Sequence, residues 1–386
     1  MRRLSTLLVV LVACSSQTTI PNTTPPVSTQ PAITTTSAPT TTAAPLLAGA
    51  PPAWQASVAD VYGFPCGGNR STLPTKLQSL VENETCPSGG ESAMAEVGGA
   101  ILAVATIGRD VIYGVDSGSG FQVVAAVLPS LGLDQGWYGN VPKLVAVVGS
   151  DARPGEDAGT SRADSLHLVG LDGAGSGGVV GIPRDSWVSI NGGRENKINA
   201  ALSSGGPESM LSTLIDVSEL ALDGIVVTGF EGFVEMWDGA LGGAEVDVPL
   251  AIQDQAAKAD LEQGIQVLDG TQALAFSRTR KTLAGGDLTR QLHGGIVLLG
   301  ALHAAQLRGP LDLPMMMALS EAWLVTDMGW PDLMAWSALA LATPVDGIPN
   351  KVVPARIGSV GSASVVFLTS EAPAVFADLA DGAVAP

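Results

Sequence analysis

The chain has 386 residues, enough for one large domain or two ordinary ones. Its 19 Lys and Arg residues against 37 Asp and Glu residues leave a formal net charge of -18, which disfavours binding to nucleic acid because such binding requires a basic surface. An apolar fraction of 46% is sufficient for a core, and three cysteines are too few for a disulfide-rich scaffold or a cysteine-rich zinc site.

Residues 1–14 have the pattern of a bacterial lipoprotein signal. Two arginines precede an apolar run that closes with Leu-Val-Ala-Cys. The run is shorter than the roughly 20 residues that cross a bilayer, so we do not expect a transmembrane anchor. If the tetrapeptide is a lipobox, Cys14 is the diacylated first residue of the mature protein and attaches it to the membrane. The alternative is an ordinary cleaved signal peptide with an incidental cysteine.

Two segments follow this signal. Residues 15–48 carry no charge and are dominated by Thr, Ser, Pro and Ala, which predicts a disordered linker. Residues 49–140 are rich in Ala and Gly, and we expect a helical accessory segment without a catalytic signature. In an exported protein Cys66 and Cys86 would form a disulfide that closes a loop of about 20 residues and stabilises it by about 3 kcal/mol; two buried free thiols are the alternative.

Three apolar segments after Lys143 are predicted strands, and each has charged residues at one end. They are Leu144–Val148, Ser165–Leu171 and Gly178–Ile182. Asp151 follows the first, Arg162 and Asp164 precede the second, and Arg184 follows the third. Because ligands of open α/β sheets bind where strand ends release their loops, we expect these groups to converge on one site.

Further charged groups lie downstream. Lys197 and Asn199 belong to a segment that we expect to open a helix. Arg278 and Arg280 would share one face if they lie on a strand. Asp287 and Arg290 are one turn apart at the start of a predicted helix that runs to about Gln306.

The segments Gly294 to Gln306, Leu311 to Thr326 and Trp330 to Leu341 are predicted helices. Their apolar faces are adequate for a lipid pocket. Ordinary core packing explains any one of these residues equally well.

Ten of the 19 basic residues lie between Arg153 and Arg290. Clustered guanidinium groups bind phosphate oxygens in pairs, and nearby aspartates hold a hard cation such as Mg²⁺. The pattern therefore indicates a phosphate chain as ligand. Surface ion pairs are the alternative for any single motif.

From about residue 141 to the C-terminus the chain resembles the LytR-CpsA-Psr family of cell-wall enzymes. The resemblance rests on eight short motifs in the family's order over about 150 residues. They are Val148–Arg153, Arg162–Asp164, Ile182–Asp185, Lys197–Ala201, Ala240–Gly243, Leu268–Leu274, Arg278–Lys281 and Gly286–Gln291.

The resemblance implies that residues 141–386 form an extracytoplasmic three-layer α/β/α domain with a central, mostly buried sheet. It also implies a phosphotransferase that moves a glycopolymer from a polyprenyl-pyrophosphate carrier onto peptidoglycan with Mg²⁺, with the lipid in an apolar pocket. A polyprenyl-phosphate-binding module and a pyrophosphatase without glycan transfer are the alternatives. The polymer itself is not readable from the sequence.

The motifs assign residues to roles by resemblance. Asp151 and Asp164 match metal ligands, Asp151, Arg162 and Asp287 match the catalytic positions, and either Asp151 or Asp287 would be the general base. The phosphate-binding positions are Arg184, Arg278, Arg280, Arg290, Lys197 and Asn199.

The last motif departs from the family pattern, because Gly294 stands where a glutamine is expected. That glycine would remove one phosphate contact. His293 is the nearest substitute for a basic group, whereas His167 and His303 have the character of structural histidines.

Overall fold

The computed structural model describes residues 46–279 and 285–386. Its α-helices are α1 Pro52–Tyr62, α2 Thr75–Leu80, α3 Ala200–Ser218, α4 Phe230–Met236, α5 Gly270–Arg278, α6 Asp287–Arg308, α7 Leu313–Ser320, α8 Trp330–Ala342 and α9 Ala372–Leu379.

The strands fall into groups along the chain. The first ten are β1 Glu91–Val97, β2 Ala100–Ile107, β3 Asp110–Asp116, β4 Phe121–Leu128, β5 Leu133–Trp137, β6 Lys143–Ser150, β7 Ala163–Leu171, β8 Gly177–Gly181, β9 Trp187–Ser189 and β10 Glu195–Lys197. The others are β11 Gly224–Thr228, β12 Ala244–Val248, β13 Ile252–Asp254, β14 Ala259–Leu261, β15 Gly264–Leu268, β16 Val325–Thr326, β17 Asn350–Val352, β18 Ala355–Val360 and β19 Ala363–Leu368.

The central sheet has six strands in the order β16-β11-β6-β7-β8-β17. β6 and β11 are parallel, as are β8 and β17, whereas β7 runs antiparallel to both of its neighbours. The three strands predicted between residues 144 and 182 are thus confirmed as neighbours in one mixed sheet. Their polar ends meet at a single edge, because β6 and β8 end where β7 begins.

Helices cover both faces of this sheet. Leu166 and Leu168 point to one face and pack with Met210 of α3 and Phe376 of α9. The alternate strand positions face α6, α7 and α8, and among them Val169 lines a cavity together with Leu298 of α6. The predicted three-layer α/β/α domain is confirmed.

Three local predictions differ from the structure. The segment from Leu311 to Thr326 is not one helix: α7 ends at Ser320, and β16 instead forms an edge strand of the central sheet by pairing with β11. Lys197 ends a short strand paired with β9, and the helix begins only at Ala200. Arg278 is the last residue of helix α5 rather than part of a strand.

The expectation of a helical segment over 49–140 is wrong for most of its length. Apart from α1, α2 and short 3₁₀ turns, the segment is a five-stranded antiparallel sheet in the order β1-β2-β3-β4-β5. Gly98 and Gly99 form its first hairpin turn with φ angles of +55° and +77°, a conformation that favours glycine. Both faces of the inner strands are covered, so their apolar runs lack the alternation that marks a half-buried strand.

The disulfide prediction is confirmed. Cys66 and Cys86 are bonded, and their Cα atoms lie 5.0 Å apart. In the part of the chain that the structure describes, no helix is long and apolar enough to span a bilayer. Cys14 and nearly all of the predicted linker lie outside the described residues.

Candidate phosphate-binding site

Asp164 lies at the centre of the polar edge of the sheet because of a β-bulge. Along the pairing of β6 with β7, Gly149 is opposite Ser165 and Ser150 is opposite Ala163, so Asp164 is the extra residue. A bulge redirects the side chain of the residue that it inserts. Here the inserted residue is Asp164, and two arginines from other elements contact its carboxylate.

Those arginines come from segments that are far apart in the domain's sequence. The Arg184 guanidinium, which follows β8, is ion-paired with Asp164 Oδ1. Arg290, in the first turn of α6, places Nη1 3.3 Å from the same oxygen and also pairs with Asp287. Arg290 is only 5% exposed, so its charge depends on these two carboxylates.

Hydrogen bonds and an ion pair hold four further predicted residues. The Asn199 N–H donates to the Arg184 carbonyl, and the Arg162 N–H donates to Asp151 Oδ1 at 2.9 Å. Lys197 Nζ lies 2.9 Å from a carboxylate oxygen of Asp185.

These groups surround an open polar cavity of about 850 Å³. It is lined by Asp151, Arg162, Arg184, Asp185, Asn196, Lys197, Asn199, Ala200, Gly286, Asp287, Ile357, Ser364, Val365 and Val366. Six of the residues predicted from sequence thus meet in one cavity, and Asp164 and Arg290 support it through the ion pairs with Arg184 and Asp287.

One predicted arginine, Arg278, is placed differently, and another falls outside the described residues. Arg278 is exposed and is not among the residues that line the cavity; its guanidinium carbon lies 4.2 Å from the centre of the Phe230 ring. Phe230 in turn donates its N–H to the carbonyl of Ala152, next to Asp151. Arg280 lies outside the described residues.

Two parts of the cavity were not predicted from the sequence: the carboxylate of Asp185 and one of the walls. Asp185 adjoins Arg184 in the Pro-Arg-Asp motif, which was a usable signal. The β18–β19 hairpin supplies Ile357 and Ser364, and these neutral residues carry no sequence signal. The bridge between Ser186 and Val366 brings that hairpin to the site.

The donor set suits a hard divalent cation shared with a ligand. Among the described residues no three His, Cys, Asp or Glu side chains are grouped to hold a metal ion alone. Mg²⁺ is usually bound by one or two carboxylates together with substrate phosphates. The predicted ligand Asp151 lines this cavity and Asp164 contacts its lining residue Arg184, so a cation here would need phosphate oxygens to complete its ligands.

A second cavity, of about 360 Å³, is almost entirely apolar. Val147, Val169 and Val226 of the central sheet form its floor, and helices α6, α7 and α8 form its walls. The three predicted lipid-pocket segments all contribute, through residues such as Leu298, Met316 and Trp330.

His167 lies on β7 between Asp164, at the polar end of the strand, and Val169, which lines the apolar cavity. Its Nε2 lies 2.8 Å from the Gln291 carbonyl oxygen, which makes Nε2 the donor, and its Nδ1 accepts from Ser165 Oγ at 3.2 Å. Burial, opposed by the hydrogen bond to Gln291 and assisted by the positive charge of Arg290, lowers the pKa of His167 to about 4. The histidine is therefore neutral at physiological pH.

Gly294 faces this imidazole rather than the polar cavity. A Cβ at position 294 would lie 2.5 Å from Cε1 of His167. The glycine is therefore what allows His167 to pack under α6. His293 is also buried, and its ring stacks on Phe276 with centroids 4.3 Å apart.

Comparison with known proteins shows the same domain. The model of the LytR_cpsA_psr family matches residues 135–375. The Corynebacterium glutamicum protein named probable cell wall biosynthesis protein LcpB is 35% identical over 156 residues, which are 37% of each chain. A Bacillus anthracis protein named polyisoprenyl-teichoic acid–peptidoglycan teichoic acid transferase TagU is 33% identical over 166 residues, 42% of this chain and 52% of that protein. The matched segments thus span about a third to a half of these relatives.

Solved structures share the fold. Bacillus subtilis TagV superposes with a TM-score of 0.53 at 21% identity, over 64% of this chain and 100% of that chain. Protein gbs0355 of Streptococcus agalactiae gives a TM-score of 0.54 at 23% identity, over 62% of this chain and 86% of that chain.

The buried His167 predicts a loss of stability in acid. Well above pH 6.5 the histidine is neutral in both states; as the pH falls towards 4, the unfolded chain takes up a proton that the folded state does not. The free energy of unfolding should therefore fall by about 2 kcal/mol between about pH 7 and pH 5. Urea unfolding of the wild type and His167→Gln across this range measures the effect. His293, whose pKa burial also lowers, contributes equally to both proteins. An identical pH slope for the two would contradict the assignment.

Gly294→Gln is expected to destabilise the fold and not to restore a phosphate contact. The new side chain would overlap the His167 ring, and overpacking of this kind typically costs about 1–3 kcal/mol. Gly239→Ala is the control, because a Cβ there meets nothing within 4 Å. A Gly294→Gln variant with unchanged stability and tighter binding of pyrophosphate would show that position 294 reaches the polar cavity.

Proposed function

The chain belongs to the LytR-CpsA-Psr family, and we propose that it transfers a glycopolymer from a polyprenyl-pyrophosphate carrier onto peptidoglycan outside the cytoplasm. The names of the curated relatives support the class of reaction. The observation that carries the proposal for this chain is that β7 and α6 each run from the polar cavity to the apolar cavity.

β7 and α6 each connect the two cavities. β7 has Asp164 at one end and Leu171 at the other, roughly 23 Å away for an extended strand. α6 has Arg290 in its first turn and Leu302 about 18 Å further along its axis. A ligand with a charged head and a long apolar tail matches this arrangement.

The charge of the polar site also favours a phosphate ligand that brings its own cation. Asp151, Asp164, Asp185 and Asp287 balance Arg162, Arg184, Lys197 and Arg290, so these groups have no formal net charge. Arg184 retains a buried Nε without a partner among the described residues, a donor for a phosphate oxygen. A pyrophosphate diester adds two negative charges, which one Mg²⁺ would offset.

The proposed reaction exchanges one phosphorus–oxygen bond for another. An acceptor sugar hydroxyl attacks the phosphorus that carries the glycan, and the bond from this phosphorus to the bridging oxygen breaks. The products are a glycan–phosphate–acceptor diester and the polyprenyl phosphate. The arginines stabilise the charge that develops on the leaving phosphate, and Mg²⁺, bound with Asp151, Asp164 and phosphate oxygens, would supply further neutralisation.

Asp151 is better placed than Asp287 to accept the hydroxyl proton. The Asp287 carboxylate is held by Arg290. Asp151 lines the cavity, and the contact found for its carboxylate in the described structure is the backbone N–H of Arg162. We therefore assign the general base to Asp151.

The two alternative functions use the same residues. A binding module without turnover was suggested by Gly294, but this glycine packs on His167 and lies outside the polar cavity. Its presence is thus no reason to expect lost catalysis. A pyrophosphatase would release polyprenyl phosphate even when no acceptor is present.

Arg184→Ala should abolish transfer. The substitution removes a half-buried guanidinium that faces the phosphates, and loss of such a partner typically costs about 2–5 kcal/mol, at least a ~30-fold loss of affinity. The measurement is transfer from a synthetic polyprenyl-pyrophosphate glycan to peptidoglycan across a Mg²⁺ titration. Asp164→Asn should impair turnover most strongly and recover in part at high Mg²⁺.

The matched control is Arg194→Ala, an exposed arginine in the β9–β10 turn that does not line the cavity. Wild-type activity in both arginine variants would show that the phosphate site is misplaced. Release of polyprenyl phosphate without an acceptor would favour the pyrophosphatase, and tight binding without turnover would favour the binding module.

We also propose that Cys14 is diacylated and attaches the protein to the outer face of the cell membrane. The basis is the sequence pattern at 11–14. Cys14→Ala should eliminate incorporation of a labelled fatty acid and release the protein from membranes, whereas Cys66→Ser with Cys86→Ser should leave labelling intact. Labelled, membrane-bound Cys14→Ala protein would refute the anchor.

A further inference from the structure

The five-stranded sheet β1–β5 lies almost wholly outside the residues that match the family model. It is nevertheless packed directly on the walls of the apolar cavity: α7 contacts β1 and β2, and α8 contacts β2, β3 and β4. Leu102 and Tyr113 of the sheet share one hydrophobic cluster with Met334 of α8 and Leu313 of α7. The cavity wall is therefore enclosed between the central sheet and this second sheet.

A glycine of this sheet packs directly against α8. Gly98, in the β1–β2 turn, lies so near the Trp330 indole that a Cβ at this position would be 2.6 Å from Nε1 and 2.8 Å from Cζ2. Trp330 is the first residue of α8 and lines the apolar cavity. The backbone of the turn thus limits where the indole can lie on the side away from the cavity.

Trp330 belongs to the end of the cavity that is far from the phosphates. Met328, two residues earlier, packs over Gly224, the first residue of β11. The polar cavity adjoins the opposite end of this strand, where Phe230 follows and contacts Ala152. The indole therefore lies where the distal part of a bound lipid would be.

We infer that the sheet β1–β5 is a part of the lipid site, and that Gly98 is a positioning residue that sets the distal wall of the cavity through Trp330. The inference deepens the proposed function, on which it rests for the identity of the lipid. It gives the accessory sheet a role in selecting the length of the prenyl chain. Phosphate binding, at the other end of the domain, is independent of it.

Gly98→Ala tests the inference, because the added methyl group must displace the indole towards the cavity. The dissociation constants of undecaprenyl phosphate, geranyl phosphate and inorganic pyrophosphate are measured with the full chain. We expect the affinity for undecaprenyl phosphate to fall at least about tenfold (about 1.4 kcal/mol), with little change for geranyl phosphate and none for pyrophosphate. Gly98→Ala combined with Trp330→Phe should restore binding, since the smaller ring relieves the overlap.

Gly99→Ala is the matched control. It lies in the same turn, also has a positive φ, and a Cβ there meets nothing within 4 Å, so it shares the backbone strain without the contact. Equal affinities of Gly98→Ala and Gly99→Ala for undecaprenyl phosphate would overturn the inference. Equal losses for all three ligands would also overturn it, because they would indicate general damage to the fold.

Trp330→Phe alone keeps the test decisive if Gly98→Ala does not fold. It should raise the affinity for undecaprenyl phosphate relative to geranyl phosphate, and an unchanged ratio would overturn the inference. A wild-type protein that binds neither prenyl phosphate would instead refute the proposed function and the inference with it. Binding by the wild type together with unaltered Gly98→Ala would refute only the inference.

Discussion

The ion pairs of Asp164 with Arg184 and Arg290 connect the elements on which the rest of the site depends. They join the start of β7, the loop after β8 and the first turn of α6, which are three separate parts of the chain. Arg290 is almost fully buried, and an isolated charge there would be strongly destabilising. The placement of α6 therefore depends on the same ion pairs that form the site, and the bulge at Asp164 supplies their carboxylate.

α6 transmits this constraint to the apolar part of the molecule. Its N-terminal turn belongs to the polar cavity, and its later turns lie over the floor formed by the central sheet. Gly294 allows the helix to approach His167 closely, and the hydrogen bond from His167 to the Gln291 carbonyl holds the helix at that distance. The neutral His167 and the glycine packed on it thus lie between the polar end of the domain and its apolar cavity.

Around this arrangement the protein adds a fourth layer. In a three-layer domain α7 and α8 would expose their outer faces to solvent. Here the sheet β1–β5 covers them, and its own opposite face is closed by α1 and α2 through Trp54 and Leu77. The disulfide between Cys66 and Cys86 restrains the chain that forms this outer cover. The layer therefore supports the cavity wall instead of forming a separate module.

Elements with local signals could be predicted from the order of residues along the chain. Apolar runs ending in charged residues predicted β6, β7 and β8 and the edge at which their ends meet, and the periodic segment after Asp287 predicted α6. Tertiary structure decided the rest. Ala- and Gly-rich runs over 91–137 form strands because both of their faces are buried, which removes the alternation that identifies a strand. Arg278, so close to other basic residues in sequence, ends a helix and stacks on Phe230 outside the cavity. From the sequence, Gly294 was interpreted as the loss of a phosphate ligand. In the fold, its missing side chain leaves the space that the His167 ring occupies. This contact joins distant segments of the chain, so the sequence alone could not reveal it.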